Sequence, residues 1–571
     1  MRRVLLTLLT GGVIASAACE DFLTVNPRNV ISRENYFFNE EHMDEAVTRT
    51  YGIAANMFGN QFRLTGDLRG ELVTLMLNVN VPGFTFQIDE FSEATNDGTI
   101  GGLYQAIFNT IFNANVVLSR IDDIPFADEA KRNRLKAEAY FARALAYWIG
   151  LQYWGYGDGE DWNRSNLAVP LVTREIDDPN ETFEIERGTV GEVFDLIVED
   201  LKFAKQHLPI QAPEDEPQRF TRGAAAFLLG ATYQLDPSSQ MQQLALAEFE
   251  ELDNYGYSLI TVGSQEANFN APREIFNPAI RFQNPEVILY FNGGTIGTTS
   301  TAPMNAGWGV APATSNATRV QVSNGAGNGS FMPTQNHILS FAGANPDSPE
   351  DVFDLRYEGY YGAFCPGSGV SGVLGDVIDV YRTTGDVTLR FENPGYPEVN
   401  IEAVRDPINR TVRENCIGYF TKWRWPAGGS QSRMIFRYTD AVLRKAEALA
   451  RLNRADEALV YVNQIRDRAG LPHLDGLSGQ ALLDAILQER AWEFGGEAWR
   501  WADLKRFGRG IEIIQAHGIE RKNRVARTPD AAYMMLGATY RMRFPILPDD
   551  VRLSQCRILQ NPGWAADCVG Q

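Results

Sequence analysis

A chain of 571 residues with 44% apolar content is too long for one small core and too apolar to be disordered throughout. Its formal net charge of −20 makes a surface that repels nucleic acid and anionic lipid, which argues against DNA, RNA or polybasic membrane binding. A neutral or cationic ligand remains compatible with it.

The chain opens Met1-Arg2-Arg3, runs through apolar residues from Val4 to Ala18, and closes that run on Ser16-Ala17-Ala18 before Cys19. A basic start, a short apolar middle and a small-residue end form the three-part layout of a bacterial export signal. The apolar run falls short of the roughly twenty residues that a spanning helix needs. A secreted soluble protein needs no cysteine at the cut. Lipoprotein processing does, because the thiol takes a diacylglycerol before cleavage in front of it. Residues 1–18 are therefore read as a lipoprotein signal peptide and Cys19 as the first mature residue, carrying the lipid (palmitate among its acyl chains). Ser16 stands where leucine is usual in such a box. Acyl chains hold by buried methylenes at about 0.8 kcal/mol each, so two or three suffice as an anchor.

The other cysteines, Cys365, Cys416, Cys556 and Cys568, are even in number in an exported chain, so disulfides are allowed. Of three pairings, Cys365 with Cys416 and Cys556 with Cys568 is preferred. None has CxxC spacing.

Three regions follow the signal. Residues 19–264 are helical by period from about Glu40 to Leu259. In "RLKAEAYFARALAYWIGLQYWG", Leu135, Ala139, Ala142 and Ala146 make one small-residue stripe, beside Tyr140, Ala144 and Tyr147. "TVGEVFDLIVEDLKFAKQHLP" begins at a threonine that can cap a helix and ends at Pro209. "FTRGAAAFLLGATYQLDP" and "QQLALAEFEELDNYGYSL" read as a helix hairpin broken at Asp236-Pro237.

Residues 265–432 change character. Gly293 to Thr334 holds eight glycines and a single charge, Arg319, while aromatic residues punctuate the whole region. A disordered linker would be poorer in aromatics, so ordered loops and a few short strands are expected over a helical base. In residues 433–571, Val442, Ala446 and Leu449 share one helix face. Leu459, Val462 and Ile465 share a second after a break at Asn453-Arg454. A helix pair in about 34 residues is the size of a tetratricopeptide unit, and such units stack because none buries its apolar face alone.

Several stretches together resemble the SusD/RagB family, the surface lipoproteins that partner SusC-like TonB-dependent outer-membrane transporters. "CEDFL" followed by Pro27 is similar to the family's mature N-terminus. "LYQAIFNTIFNANVVLSRID" resembles its W..lY..I..aN segment, with Tyr104 in place of tryptophan and Phe108 in place of tyrosine. "RLKAEAYFARALAYWIGLQYWG" and "LAVPLV" follow in the family's order. So do "RYTDAVLRKAEALARLN", "VNQIRDRAGLP", "AILQERAWEFGGEAWRWADLKRFG" and the closing "FPILPDDVRLSQCRILQNPGW". The resemblance implies a mostly α protein in which tetratricopeptide-like helix pairs form a superhelical base. A loop-rich ligand-binding region and a few short strands complete it. It also implies a lid over a transporter's extracellular mouth that captures an oligosaccharide, or a peptide, and passes it inward. Glu20 and Asp21, just after the lipidated cysteine, resemble the family's signal for display on the outer face. Uptake energy would come through TonB, so no cofactor is expected; no P-loop and no GxGxxG between strand and helix occurs.

A glycan surface needs exposed rings to stack on C–H faces, with amides, carboxylates or guanidinium groups nearby. Two stretches offer them. Around a Pro-Gly turn lie Arg69, Asn80, Phe84 and Phe86, followed by Asp97 and Tyr104. In the middle region lie Asn305, Trp308, Tyr360, Tyr361, Trp423 and Trp425, the last two alternating with Lys422 and Arg424 as in a strand. An enzymatic reading would start from Glu489, Glu493 and Glu497, spaced four apart. Glycoside hydrolysis, however, needs two carboxylates facing each other across a cleft. The interleaved Arg490, Arg500, Lys505 and Arg506 suggest ion pairing inside the fold instead. His42, His207, His337, His473 and His517 are scattered with no HExxH, and Ser430 lacks a nucleophile elbow. The expectation is a binding lipoprotein without catalytic or metal residues. An envelope scaffold that holds a protein partner and a surface glycan hydrolase are the alternatives.

Overall fold

The computed structural model describes residues 39–75, 87–88, 91, 93–157, 162–213, 216–260, 275–276, 283–291, 331–333, 337, 340–341, 354–364, 371–373, 417–420, 422, 433–516 and 539–565. Helices begin where short polar side chains can satisfy the first free N–H groups. Asn39 accepts from His42 N at 2.9 Å and opens α1 (Glu40–Met57). After α2 (Asn60–Asp67) and β1 (Val73–Leu75), Asp97 accepts from Thr99 N and Ile100 N and opens α3 (Gly98–Arg120). Asp128 opens α4 (Glu129–Gly150), which runs on as a π turn, Leu151–Gly155. The strands β2 (Leu167–Pro170) and β3 (Arg187–Thr189) pair antiparallel. At the start of α5 (Val190–His207), Thr189 Oγ1 accepts from Glu192 N at 3.1 Å while the Glu192 carboxylate accepts from Thr189 N at 2.8 Å. The expected hairpin is present as α6 (Arg222–Tyr233) and α7 (Ser239–Asn254), broken at Asp236-Pro237.

Small side chains set the helix spacing. Leu135, Ala139, Ala142 and Ala146 of α4 are fully buried, and α4 packs against α3 on one side and α5 on the other. Between α6 and α7, a Cβ on Gly230 would stand 2.8 Å from the Phe249 ring, so only glycine permits this approach.

From residue 283 on come β4 (Val287–Phe291), β5 (Phe331–Pro333), α8 (Leu355–Tyr360), β6 (Tyr361–Phe364), β7 (Ser371–Val373) and β8 (Ile417–Phe420). β6 lies between β7 and β8, antiparallel to both. Two further ladders tie this stretch to its neighbours: β1 pairs β5, and β4 pairs β9 (Arg433–Arg437), which leads into α9. The helices α9 (Tyr438–Arg451) and α10 (Ala455–Arg468) form the predicted pair, with Asn453 in the left-handed region at φ 59°. Asparagine tolerates that conformation better than most residues. Val442, Ala446, Leu449, Leu459, Val462 and Ile465 are all buried, as their spacing predicts.

After α11 (Gly479–Phe494), the carboxylates spaced four apart do not stay on one helix. The chain leaves α11 at Gly495 and turns through left-handed Gly496 and Ala498 before α12 (Arg500–Phe507). Glu497 therefore projects from this turn. A last helix, α13 (Pro548–Leu553), precedes the closing segment. There Asn561 Nδ2 donates to the carbonyls of Phe544 and Trp154, and its Oδ1 accepts from Arg187 at 2.7 Å. The closing motif thus locks the end of the chain onto β3 and the π turn. Among the described residues, no helix is long and apolar enough to cross a membrane.

Candidate functional site

Glu286, Asp354, Arg356, Tyr360 and Lys422 of the middle region join a buried ionic floor built around the C-terminal end of α11. Glu493 Oε1 accepts from Arg437 Nη1 at 2.7 Å, Arg468 Nη2 at 2.8 Å and the Tyr360 hydroxyl at 3.0 Å. Its Oε2 lies 3.4 Å from Arg356, and its main-chain oxygen takes Lys422 Nζ at 2.6 Å. Glu497 binds Lys422 at 2.8 Å and Arg437 at 2.9 Å; Glu489 binds Arg356 at 2.6 Å and Arg466 at 3.2 Å. Asp354 holds Arg356 from the side, and Glu286 holds Arg468 at 2.6 Å. Five carboxylates thus face five cations with almost no solvent among them.

Balance is what makes such burial tolerable, since an unpaired charge here would cost several kcal/mol. Burial alone would raise Glu493, but Arg468, Arg437, Arg356 and Lys422 outweigh it and hold the carboxyl far below its ordinary range. Burial pulls the Lys422 ammonium down to about 8 against the Glu497 and Glu493 carboxylates, with Arg437 adding to the pull.

The charge pairing expected around Glu489, Glu493 and Glu497 is present, but its partners are different. Arg356, Lys422, Arg437, Arg466 and Arg468 come from four other segments. The interleaved residues serve elsewhere: Arg490 and Arg506 bind Asp503, Arg500 binds Glu71, and Lys505 donates to the Gln152 carbonyl. These partners carry no local signal, because each sits in ordinary helix or strand text and meets its carboxylate across the fold.

A second cluster surrounds Arg69. Its guanidinium lies between the rings of Phe91, Phe544 and Trp501, 4.6, 4.7 and 5.0 Å from their centroids. It donates to Glu93 Oε1 at 3.0 Å and to the Arg541 carbonyl at 3.0 Å. Burial lowers Arg69 to about 10 despite the Glu93 carboxylate beside it.

Four residues expected on a ligand surface are therefore framework. Arg69 and Tyr360 are 0% exposed, Tyr104 3% and Asp97 5%. Asp97 spends one carboxylate oxygen capping α3, and Tyr104 packs on Phe108 and Trp154 with ring centroids 4.6 and 5.3 Å away. Their burial was readable: "NDGT" is a helix start, and Tyr104 falls on the same face as Ile100 and Ile107. Tyr361 lies in β6, paired with Phe420. Asn80, Phe84, Phe86, Asn305, Trp308, Trp423 and Trp425 lie outside the described residues, as do Cys19, Cys365, Cys416, Cys568, His517 and Ser430. Cys556 is disulfide-bonded. His337 is buried, and His473 Nε2 lies 2.6 Å from Asp467. Among the described residues, no three His, Cys, Asp or Glu side chains come together as a metal site.

Comparison with known proteins agrees with this architecture. Residues 411–564 match the family model described as "SusD family", and residues 21–233 match one described as "Starch-binding associating with outer membrane". A SusD-like protein, P25, of Formosa agariphila is 23% identical over 543 residues, covering 88% of this chain and 89% of that one. A SusD homolog from Bacteroides thetaiotaomicron superposes with a TM-score of 0.68 at 18% identity, over 94% of this chain and 99% of that one. The surface glycan-binding protein A of the same organism, in complex with laminarihexaose, superposes with a TM-score of 0.63 at 17% identity, over 92% and 99%.

Proposed function

The chain belongs to the SusD/RagB family, and from that premise we propose that it is a lipid-anchored outer-membrane protein that binds an oligosaccharide. It would face the exterior, act as lid to a SusC-like TonB-dependent transporter and pass the glycan inward. Binding, and no bond-breaking, is the role assigned to it. The observation that carries this reading is the ionic floor. Asp354, Arg356, Tyr360 and Lys422, which belong to the glycine- and aromatic-rich stretch of the sequence, are themselves bound into the helical base. That is how a fold holds loops still enough to present stacking rings. The same floor argues against the hydrolase alternative. A general acid needs a titration point near the working pH and access to substrate, whereas Glu493 is buried, multiply paired and held far below that range. A glycan partner also suits a strongly acidic surface, since neutral sugars are not repelled by it. The ligand surface is assigned to Asn80, Phe84, Phe86, Asn305, Trp308, Tyr361, Trp423 and Trp425. Cys19 is assigned as the acylated residue, and Cys568 as the disulfide partner of Cys556.

A glycan and peptide array probed with the soluble chain lacking residues 1–19 tests the ligand class. Retention of an oligosaccharide, weakened by Trp308→Ala, is expected. Binding of peptides alone would replace the glycan reading, and binding indifferent to Trp308→Ala would remove the middle-region surface. Cys19→Ala should abolish incorporation of labelled fatty acid and release the protein from the membrane fraction.

A further inference from the structure

The stretch between β1 and α3 is held at two places. At one, β1 pairs with β5, Val73 facing Pro333 and Leu75 facing Phe331. At the other, Ile88, Phe91 and Glu93 are buried, and the last two close on Arg69. In the sequence, Asn80, Phe84 and Phe86 fall between the two.

The second anchor carries a mark of strain. Phe91 stands in the left-handed region at φ 53°, where a bulky side chain sits at a cost and only when its surroundings hold it there. The Arg69 guanidinium lies 4.6 Å from its ring centroid and the Trp501 ring 5.8 Å. Two residues on, Glu93 is gripped by two arginines. Its carboxylate accepts from Arg69 Nη1 at 3.0 Å and Nη2 at 2.5 Å, and lies 3.4 Å from Arg541 Nη1, which also donates to the Glu93 carbonyl at 3.1 Å. Arg541 is fixed in turn over the Trp564 ring, 4.7 Å from its centroid, and its carbonyl accepts from Arg69 Nη2 at 3.0 Å. Core packing alone needs neither a buried ion pair nor a left-handed phenylalanine, since an apolar side chain could fill the space among Phe91, Phe544 and Trp501. A guanidinium does what such a side chain cannot. Its faces take the rings while its edges direct hydrogen bonds to Glu93 and to the Arg541 carbonyl.

We propose that Arg69 is a positioning residue for oligosaccharide binding: its grip on Phe91 and Glu93 fixes the second anchor of the stretch that carries Asn80, Phe84 and Phe86, and so sets affinity without touching the sugar. This rests on the assignment of those three residues to the ligand surface.

Arg69→Lys keeps the charge but loses the planar fork and its stacking among the rings. The variant and the wild type are compared at a temperature where circular dichroism shows both folded. Hydrogen exchange read by mass spectrometry follows residues 76–97 without any sugar, with α9 and α10 as the control. Titration reads the affinity for the oligosaccharide that the wild type retains most strongly on the array. Exchange should rise in 76–97 and stay level in α9 and α10. Affinity should fall at least about tenfold, because three side chains must then be ordered on binding. A rise in exchange spread evenly over the chain, or an unchanged affinity in the folded variant, would overturn the proposal. A wild type that binds no oligosaccharide would remove the surface assignment and the effect on affinity with it; the exchange result, which uses no sugar, then decides whether Arg69 holds the stretch. Arg541→Met loosens Glu93 without touching the rings around Arg69, so it serves if Arg69→Lys folds poorly. It should give the same local rise at smaller amplitude, and its absence would count equally against the proposal.

Discussion

The two helical ends of this molecule are held together by the same forces in different proportions. In α3, α4 and α5, the fully buried Ala139, Ala142 and Ala146 let the helices approach closely, and buried pairing is sparser, with Arg143 bound to Asp200 at 2.7 Å and Glu138 to Arg219 at 2.8 Å. In α9 to α12, arginines and carboxylates are buried against one another. An apolar contact fails gradually when altered, by the area or volume lost. An ion pair fails abruptly, because the surviving partner stays charged and dry. The two ends should therefore respond very differently to changes of similar size.

The largest difference is expected at Glu493. Replacing it with alanine leaves Arg437, Arg468 and the Tyr360 hydroxyl without their shared acceptor. The loss should be about 3–5 kcal/mol, read as a lower urea midpoint. A loss below about 1 kcal/mol would mean that water reaches the floor, and the contrast between the two ends would collapse.

A nearby carboxylate sharpens the point. Asp67 is fully buried, yet among the described residues its carboxylate takes one hydrogen bond, from Ala498 N at 2.8 Å, and Oδ1 takes none. Burial pushes it up to about 8; the Ala498 N–H, Lys422 and Arg63 pull the other way, and Glu497 adds to the rise. In the unfolded chain the same carboxyl titrates near about 3.9. Between these values the folded state binds the extra proton, so the contribution of Asp67 to stability is greatest in acid and falls as pH rises toward 8. The slope should approach about 1.4 kcal/mol per pH unit. Asp67→Asn resembles the protonated carboxyl, so its stability between pH 5 and 8 should be flatter than that of the wild type. Unfolding curves at four pH values check this, and parallel curves for the two proteins would refute it.

At the alanine end the expected effect is smaller. Ala142→Leu adds three carbons to a fully buried position in the α4 stripe. Overpacking of this kind costs about 1–3 kcal/mol, read as a fall in the urea midpoint with an unchanged slope.

The same contrast explains what could be read in advance. Helix pairs, the break at Asp236-Pro237 and the stripe on α4 follow from periods and breakers within one stretch of chain, where sequence neighbours are also spatial neighbours. The partners of Glu493 are not of that kind. Arg437 is 56 residues away, Tyr360 133 and Arg356 137, and nothing in their own surroundings marks them as buried. The resemblance to a family supplied the fold but not the fate of single side chains. Arg69, Asp97, Tyr104 and Tyr360 have the chemistry a sugar surface needs, yet that same chemistry caps a helix, stacks in a core or closes an ionic network. Residue type alone does not separate these uses; burial does. The two tryptophans beside Lys422 were expected to alternate with it, and Lys422 itself is 1% exposed.

The smallest effect should come from the start of α5, where sequence and structure agree most closely. Thr189 and Glu192 satisfy each other's main-chain N–H groups, and Glu192 is exposed. The Thr189 N–H and hydroxyl hydrogen bonds lower the Glu192 carboxyl. Thr189→Ala removes one side of this exchange while leaving the helix, its apolar face and its packing on α4 in place. A cap of this kind is worth about 1 kcal/mol, so the midpoint should fall slightly. Because water can replace the lost acceptor at an exposed helix end, the loss should not approach that of Glu493→Ala. If the two variants lost equal stability, local capping and buried pairing would have the same weight, and the division between the two ends would have no energetic meaning.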